Sequence, residues 1–177
     1  MLLFCRYSDM FVTLDTNKLK PNFNFKYSFL LTILPTKKMP QISNHKKIMD
    51  RVAYWLDIAD YDLETAQAML TTHRWLYVGF MCHQVLEKTL KAYWCATQPE
   101  EPPYTHNLIK LSEGSGLASL MSEKQNSFID EMMPLNIESR YPEYKKALME
   151  RLTPEYCKSV YDNTNELQQW IKNRLSK

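Results

Sequence analysis

Residues 83 to 107 concentrate the side chains of this chain that could do acid–base or phosphate chemistry. His83, Glu87 and Lys91 recur at every fourth position. On a helix they would stand one turn apart on a single stripe, with Gln84 and Lys88 flanking it. A second imidazole, His106, follows in Thr105-His106-Asn107-Leu108, on the loop where such a helix should end. The set supplies acceptors, an acid and two ammonium groups, which suits a bound phosphate or a polar subunit contact. The plainer expectation is a solvated helix flank with i,i+4 ion pairing, worth about 0.2–0.5 kcal/mol per pair. His83 and Glu87 would offer two metal ligands with no third in helical reach, so neither a metal nor a cofactor is expected. No glycine-rich phosphate loop occurs, which argues against the usual nucleotide cradles.

The elements that must carry these groups are helical. Only three glycines occur in 177 residues, few for a turn-rich sheet protein and ample for a bundle. Ile48, Val52, Trp55, Leu56, Ala59, Leu63, Ala66 and Leu70 follow the helical template for more than six turns. Asp57, Asp60, Asp62 and Glu64 fall on the other sides of this helix and read as solvated. A second helix is predicted from about Trp75 to Thr97, with Val78, Cys82, Val85, Leu86, Thr89, Leu90 and Tyr93 inward and Gly79 placed for a close approach by the first. The short Thr71–Arg74 link makes the two an antiparallel hairpin. After Pro99, Pro102 and Pro103, Thr105 would cap a short helix over about 106–113 that ends at Gly114. A fourth, about 118–133, carries Leu120, Phe128, Ile129 and Met132 and stops at Pro134. The last starts with Thr153 as N-cap, Pro154 at N1 and Glu155 in the first turn, and buries Cys157, Val160, Thr164, Leu167 and Ile171. The fold expected is all-α: an up-and-down bundle of about five helices around a long antiparallel hairpin.

Charge and cysteine usage narrow the function. Residues 1–43 hold six Lys/Arg against two acidic residues; the remainder holds sixteen against eighteen. A slightly acidic body does not grip nucleic acid through bulk electrostatics, so any phosphate contact is local. Cys5, Cys82, Cys95 and Cys157 form no CxxC pair, and Cys82 and Cys157 sit on apolar faces, as buried reduced thiols do. No secretion signal is evident and the Phe29–Leu34 run is too short to span a bilayer, so a cytoplasmic protein without membrane contact is expected. Residues 1–43 read as an extension, either flexible or translated ahead of a start at Met39 or Met49, and 44–177 as the helical domain.

Four motifs then fall into one order. They are Trp55, Ala59, Asp62, Leu63 and Ala66 on the first helix; His83-Gln84 with Glu87-Lys88-x-Leu90-Lys91-Ala92 on the second; Thr105-His106-Asn107-Leu108; and Arg140-Tyr141-Pro142 before the last. In this order and spacing, over residues 48–173, the chain resembles a HEPN domain, the higher-eukaryote and prokaryote nucleotide-binding family. The resemblance implies a helical bundle that often dimerises and that pairs with a small nucleotidyltransferase in toxin–antitoxin-like systems. Catalytic members are metal-independent ribonucleases in which an Arg, followed after four to six intervening residues by a His, supports attack by the 2′-hydroxyl. Here Arg140 is followed at that spacing by Lys145, Lys146 and Ala147, and Arg6, Arg51 and Arg74 also lack the His. The function expected is therefore a non-catalytic nucleotide- or RNA-binding or protein-interaction module, a homodimer. Its ligand-binding residues would be His83, Gln84, Glu87, Lys88, Lys91, His106 and Arg140. The alternative is an endoribonuclease in which His83 or His106 replaces the missing acid/base. A third reading makes the stripe a dimer seam or the surface that receives the nucleotidyltransferase.

Overall fold

In a computed structural model of the chain, residues 44–137 and 151–176 are described. The expectations for residues 1–43, Cys5 and the Arg140-Tyr141-Pro142 segment lie outside them. The described residues form an all-α bundle of five helices: α1 (Asn44–Thr71), α2 (Trp75–Thr97), α3 (Leu108–Gly114), α4 (Glu123–Ile137) and α5 (Pro154–Leu175), with a 3-10 turn at Leu117–Leu120. At the centre stands α2, which packs against all four other helices. Thirteen of its 23 residues are buried, so its covered face is far wider than an amphipathic stripe. Leu86 and Leu90, both fully buried, anchor the core they share with Leu108, Leu111, Ile129, Met132 and Leu167. Burial of each such side chain stabilises the fold by about 1.5–3 kcal/mol.

The α1–α2 hairpin closes through a helix-ending motif in which Arg74 N–H bonds to Met69 O at 2.8 Å and His73 N–H to Leu70 O at 3.2 Å. His73 occupies the left-handed position, φ 60°, where glycine is usual, and its ring stacks on Trp75 at 5.0 Å. The alanines of α1, Ala59 and Ala66, are fully buried and keep the helix pair close. Gly79 serves a different neighbour from the one expected: a Cβ there would meet Leu135 Cδ1 of α4 at 3.2 Å, so the close approach is by α4.

Four helix boundaries also differ from expectation, each through local chemistry. The cap of α3 is Asn107, whose side chain accepts from Lys110 N–H at 2.8 Å, while Thr105 Oγ1 accepts from Asn107 N–H. Gly114 lies inside α3, where a Cβ would stand 2.5 Å from the Trp94 ring, and the left-handed residue that follows is Gly116, φ 77°. The predicted fourth helix breaks at Ser122, which forms a reciprocal cap with Gln125, leaving Leu120 on the 3-10 turn and 55% exposed. Pro134 does not stop α4, which continues to Ile137 and buries Leu135 and Asn136 beyond it. By contrast α5 begins as read: Thr153 accepts from Tyr156 N–H and Pro154 takes the first turn.

The Gln98–Asn107 link is fastened over its first four residues. Gln98 Nε2 donates to Ser115 O at 3.3 Å, and Trp94 Nε1 to Glu100 O at 3.2 Å. Glu101 pairs with Arg51 of α1 at 2.6 Å. The link delivers His106 to α2.

Candidate functional site

The polar stripe of α2 is not a solvated flank. His83 is 0% exposed, Glu87 1% and Lys91 7%. Trp55 of α1 stands over Lys91 and His106 of the following link meets Glu87, so the stripe lies inside the bundle. That burial also removes His83, Glu87 and Lys91 from consideration as an exposed seam between subunits.

Glu87 is the hub. Its Oε1 accepts from Lys91 Nζ at 2.7 Å, its Oε2 lies 2.8 Å from His106 Nδ1, and Lys88 Nζ stands 3.9 Å away. Burial by itself would raise the Glu87 carboxyl, but hydrogen bonds from Lys91 and His106, with the charges of Lys88 and Lys91, outweigh it and hold the group below the usual carboxylate range. Lys91 Nζ also sits 5.1 Å from the centroid of the Trp55 ring, contributed by α1. Its charge is thus shared between a carboxylate and an aromatic face.

Lys88 is held differently. Its ammonium donates to the neutral Gln84 Oε1 at 2.7 Å, and its side chain is 17% exposed. Asp62, on α1, is close enough to feel both Lys88 and Glu87; burial pushes its carboxyl up, the Lys88 charge opposes this and the Glu87 charge adds to it. His106 is the open edge of the cluster, with 52% of its side chain accessible.

The structure therefore brings Gln84, Glu87, Lys88, Lys91 and His106 into one network, places His83 one turn away on the same helix, and leaves Arg140 outside the described residues. Sequence reasoning missed Trp55 and Asp62 as members. A signal was present: Trp55, Ala59, Asp62 and Ala66 share one helical face, and the two buried alanines mark it as the face toward α2. Asp60, read as solvated, in fact ties α1 to α5 by accepting from Lys172 Nζ at 2.6 Å and Gln168 Nε2 at 2.9 Å. Among the described residues, no group of three or more His, Cys, Asp or Glu could hold a metal ion. Cys82, Cys95 and Cys157 are buried free thiols; desolvation pushes Cys82 up to about 12 and Cys157 to about 11, far from reactive thiolate.

This geometry can hold an imidazole in one orientation and present an ammonium beside it. The fold that carries it is shared with the crystal structure of TT1696 from Thermus thermophilus, with a TM-score of 0.58, 20% sequence identity, and coverage of 70% of this chain and 97% of that one. At that identity the likeness concerns the fold. A comparison with curated protein sequences finds no match. The family model for the HEPN domain matches residues 52–174, which take in α2 and the whole Glu87 network. On that match the chain belongs to the HEPN domain family.

Proposed function

We propose that this HEPN domain is a non-catalytic binding module that takes a nucleotide or RNA phosphate at the edge of the Glu87 network, through Lys88 and His106. The observation that carries the reading is the contrast between the two lysines. Lys91 is engaged by Glu87 and Trp55 at close range, whereas Lys88 is oriented by the neutral Gln84 amide and meets the Glu87 carboxylate only at 3.9 Å. Asp62 lies near the same ammonium; burial pushes its carboxyl up and the Lys88 charge opposes that rise. Binding of labelled single-stranded RNA, followed by anisotropy across a salt series, tests this. Lys88→Gln should lose affinity and lower the salt slope by about 1, as expected for one phosphate contact. Unchanged affinity and slope in that variant would sink the reading.

The proposal extends to a homodimer in the cytoplasm with a small nucleotidyltransferase as partner, in a toxin–antitoxin-like pair. No helix among the described residues is long and apolar enough to cross a membrane.

One observation favours a second reading, an endoribonuclease. If His106 donates Nδ1–H to Glu87, its Nε2 is left as an acceptor on a half-open ring, the arrangement by which a carboxylate orients an imidazole for proton transfer. Cleavage of RNA in EDTA that disappears in His106→Ala would establish this reading over the first.

A further inference from the structure

We propose that the groove between α4 and α5 is an arginine-anchored docking site for a basic segment of a partner protein. The groove encloses about 480 Å³, within the range of ligand-holding clefts, and lies on helices that the Glu87 network does not use. Its floor is aromatic: Phe128 of α4, 8% exposed, and Trp170 of α5. Glu131 and Glu166 line it from the two helices, against one ammonium, Lys124. An aromatic surface between carboxylates favours a planar cation, which can stack on the ring and donate in pairs to the carboxylates.

The protein already displays half of this chemistry. Arg174, which does not line the groove, places its guanidinium carbon 3.5 Å from the centroid of the Trp170 ring. That stack, made one turn along the same helix, fixes the indole and shows a guanidinium lying against this ring. Gln125 is fixed as well: its Oε1 accepts from Ser122 N–H at 2.9 Å and from Ser122 Oγ at 3.1 Å, which leaves the amide nitrogen to donate to a peptide carbonyl. Preformed partners of this kind reduce the ordering cost of binding. A nucleotide is the poorer occupant, because its phosphates would meet two carboxylates. The inference is independent of the phosphate reading: one edge of the molecule attracts an anion, and this groove attracts a cation.

The test uses a fluorescein-labelled short peptide carrying two arginines, and the same peptide with citrulline, which keeps the planar shape and loses the charge. The arginine peptide should bind the full chain. Citrulline replacement, Glu131→Gln or Glu166→Gln should each weaken binding by at least about tenfold, a difference of about 1.4 kcal/mol. Trp170→Leu should abolish it, and the two Glu→Gln changes keep the test valid should that variant unfold. Three outcomes would overturn the proposal: no binding of the arginine peptide, equal binding of the citrulline peptide, or displacement of the peptide by AMP with tighter AMP binding in Glu166→Gln.

Discussion

Glu87 with Lys91 in α2, and Lys158 with Asp162 in α5, are both spaced one helical turn apart and both bring an ammonium to a carboxylate, at 2.7 Å and 2.6 Å. In α2 the side chains are 1% and 9% exposed; in α5 they are 60% and 54% exposed. Distance is nearly the same, and the energetics are not. Water solvates both partners in α5, and the order Lys before Asp is the weaker one on a helix. In α2 both charges have left water, and their attraction must offset a desolvation cost of several kcal/mol per ion. The structure meets that requirement with further partners, His106 on the second carboxylate oxygen and Trp55 against the ammonium. A motif defined by spacing therefore acquires its meaning from what covers it.

The largest effect should come from stranding one buried charge. Glu87→Ala leaves the Lys91 ammonium without its carboxylate and should cost about 3–5 kcal/mol, read as a fall in the urea midpoint. The paired change Glu87→Gln with Lys91→Met removes both charges and should recover much of that loss. If Glu87→Ala costs no more than a surface substitution, the contrast between the two pairs collapses.

An intermediate effect should appear on acidification. The folded Glu87 carboxyl lies below its unfolded value of about 4.3. Its contribution is fully present above that value and is lost as pH falls through the folded one. Asp62 has the opposite sign: its raised folded value means that its contribution is present at low pH and is lost as pH rises through it. Urea midpoints measured from neutral pH downward should therefore fall less steeply in Glu87→Gln than in the wild type. Asp62→Asn should gain stability near neutrality. A parallel pH profile in Glu87→Gln would exclude a charged Glu87 as the hub. The smallest effect belongs to α5, where Asp162→Ala should shift stability by no more than about 0.5 kcal/mol.

The helices were legible where local chemistry is decisive. Thr153-Pro154 announces α5, and the apolar spacing from Val78 to Tyr93 marks α2. The misread boundaries were contests between two local signals. Ser122 with Gln125 restarts a helix that apolar spacing alone would begin earlier, and burial of Leu135 carries α4 through Pro134. Within the site, the stripe itself was visible, yet its burial was not, because periodicity gives the direction of a face and not the width of what packs on it. The Glu87–His106 contact joins residues separated by nineteen positions and depends on how the proline-rich link is held. Trp55 and Asp62 reach the network from another helix; the face they share with Ala59 and Ala66 was visible in the spacing, but the residues of α2 that it meets were not.

That link has a kinetic consequence. It is fastened through the Gln98 side chain, the Glu100 carbonyl and the Glu101 carboxylate, and Pro102 and Pro103 restrict the chain just beyond the last of these. His106 is thus tethered by a short, stiff leash a few residues beyond its last anchor, and it encounters Glu87 at a high effective concentration. A contact tethered in this way, once opened, would re-form quickly, because the imidazole never diffuses away. Lengthening the leash with glycines would dilute His106 around the same carboxylate without altering either group.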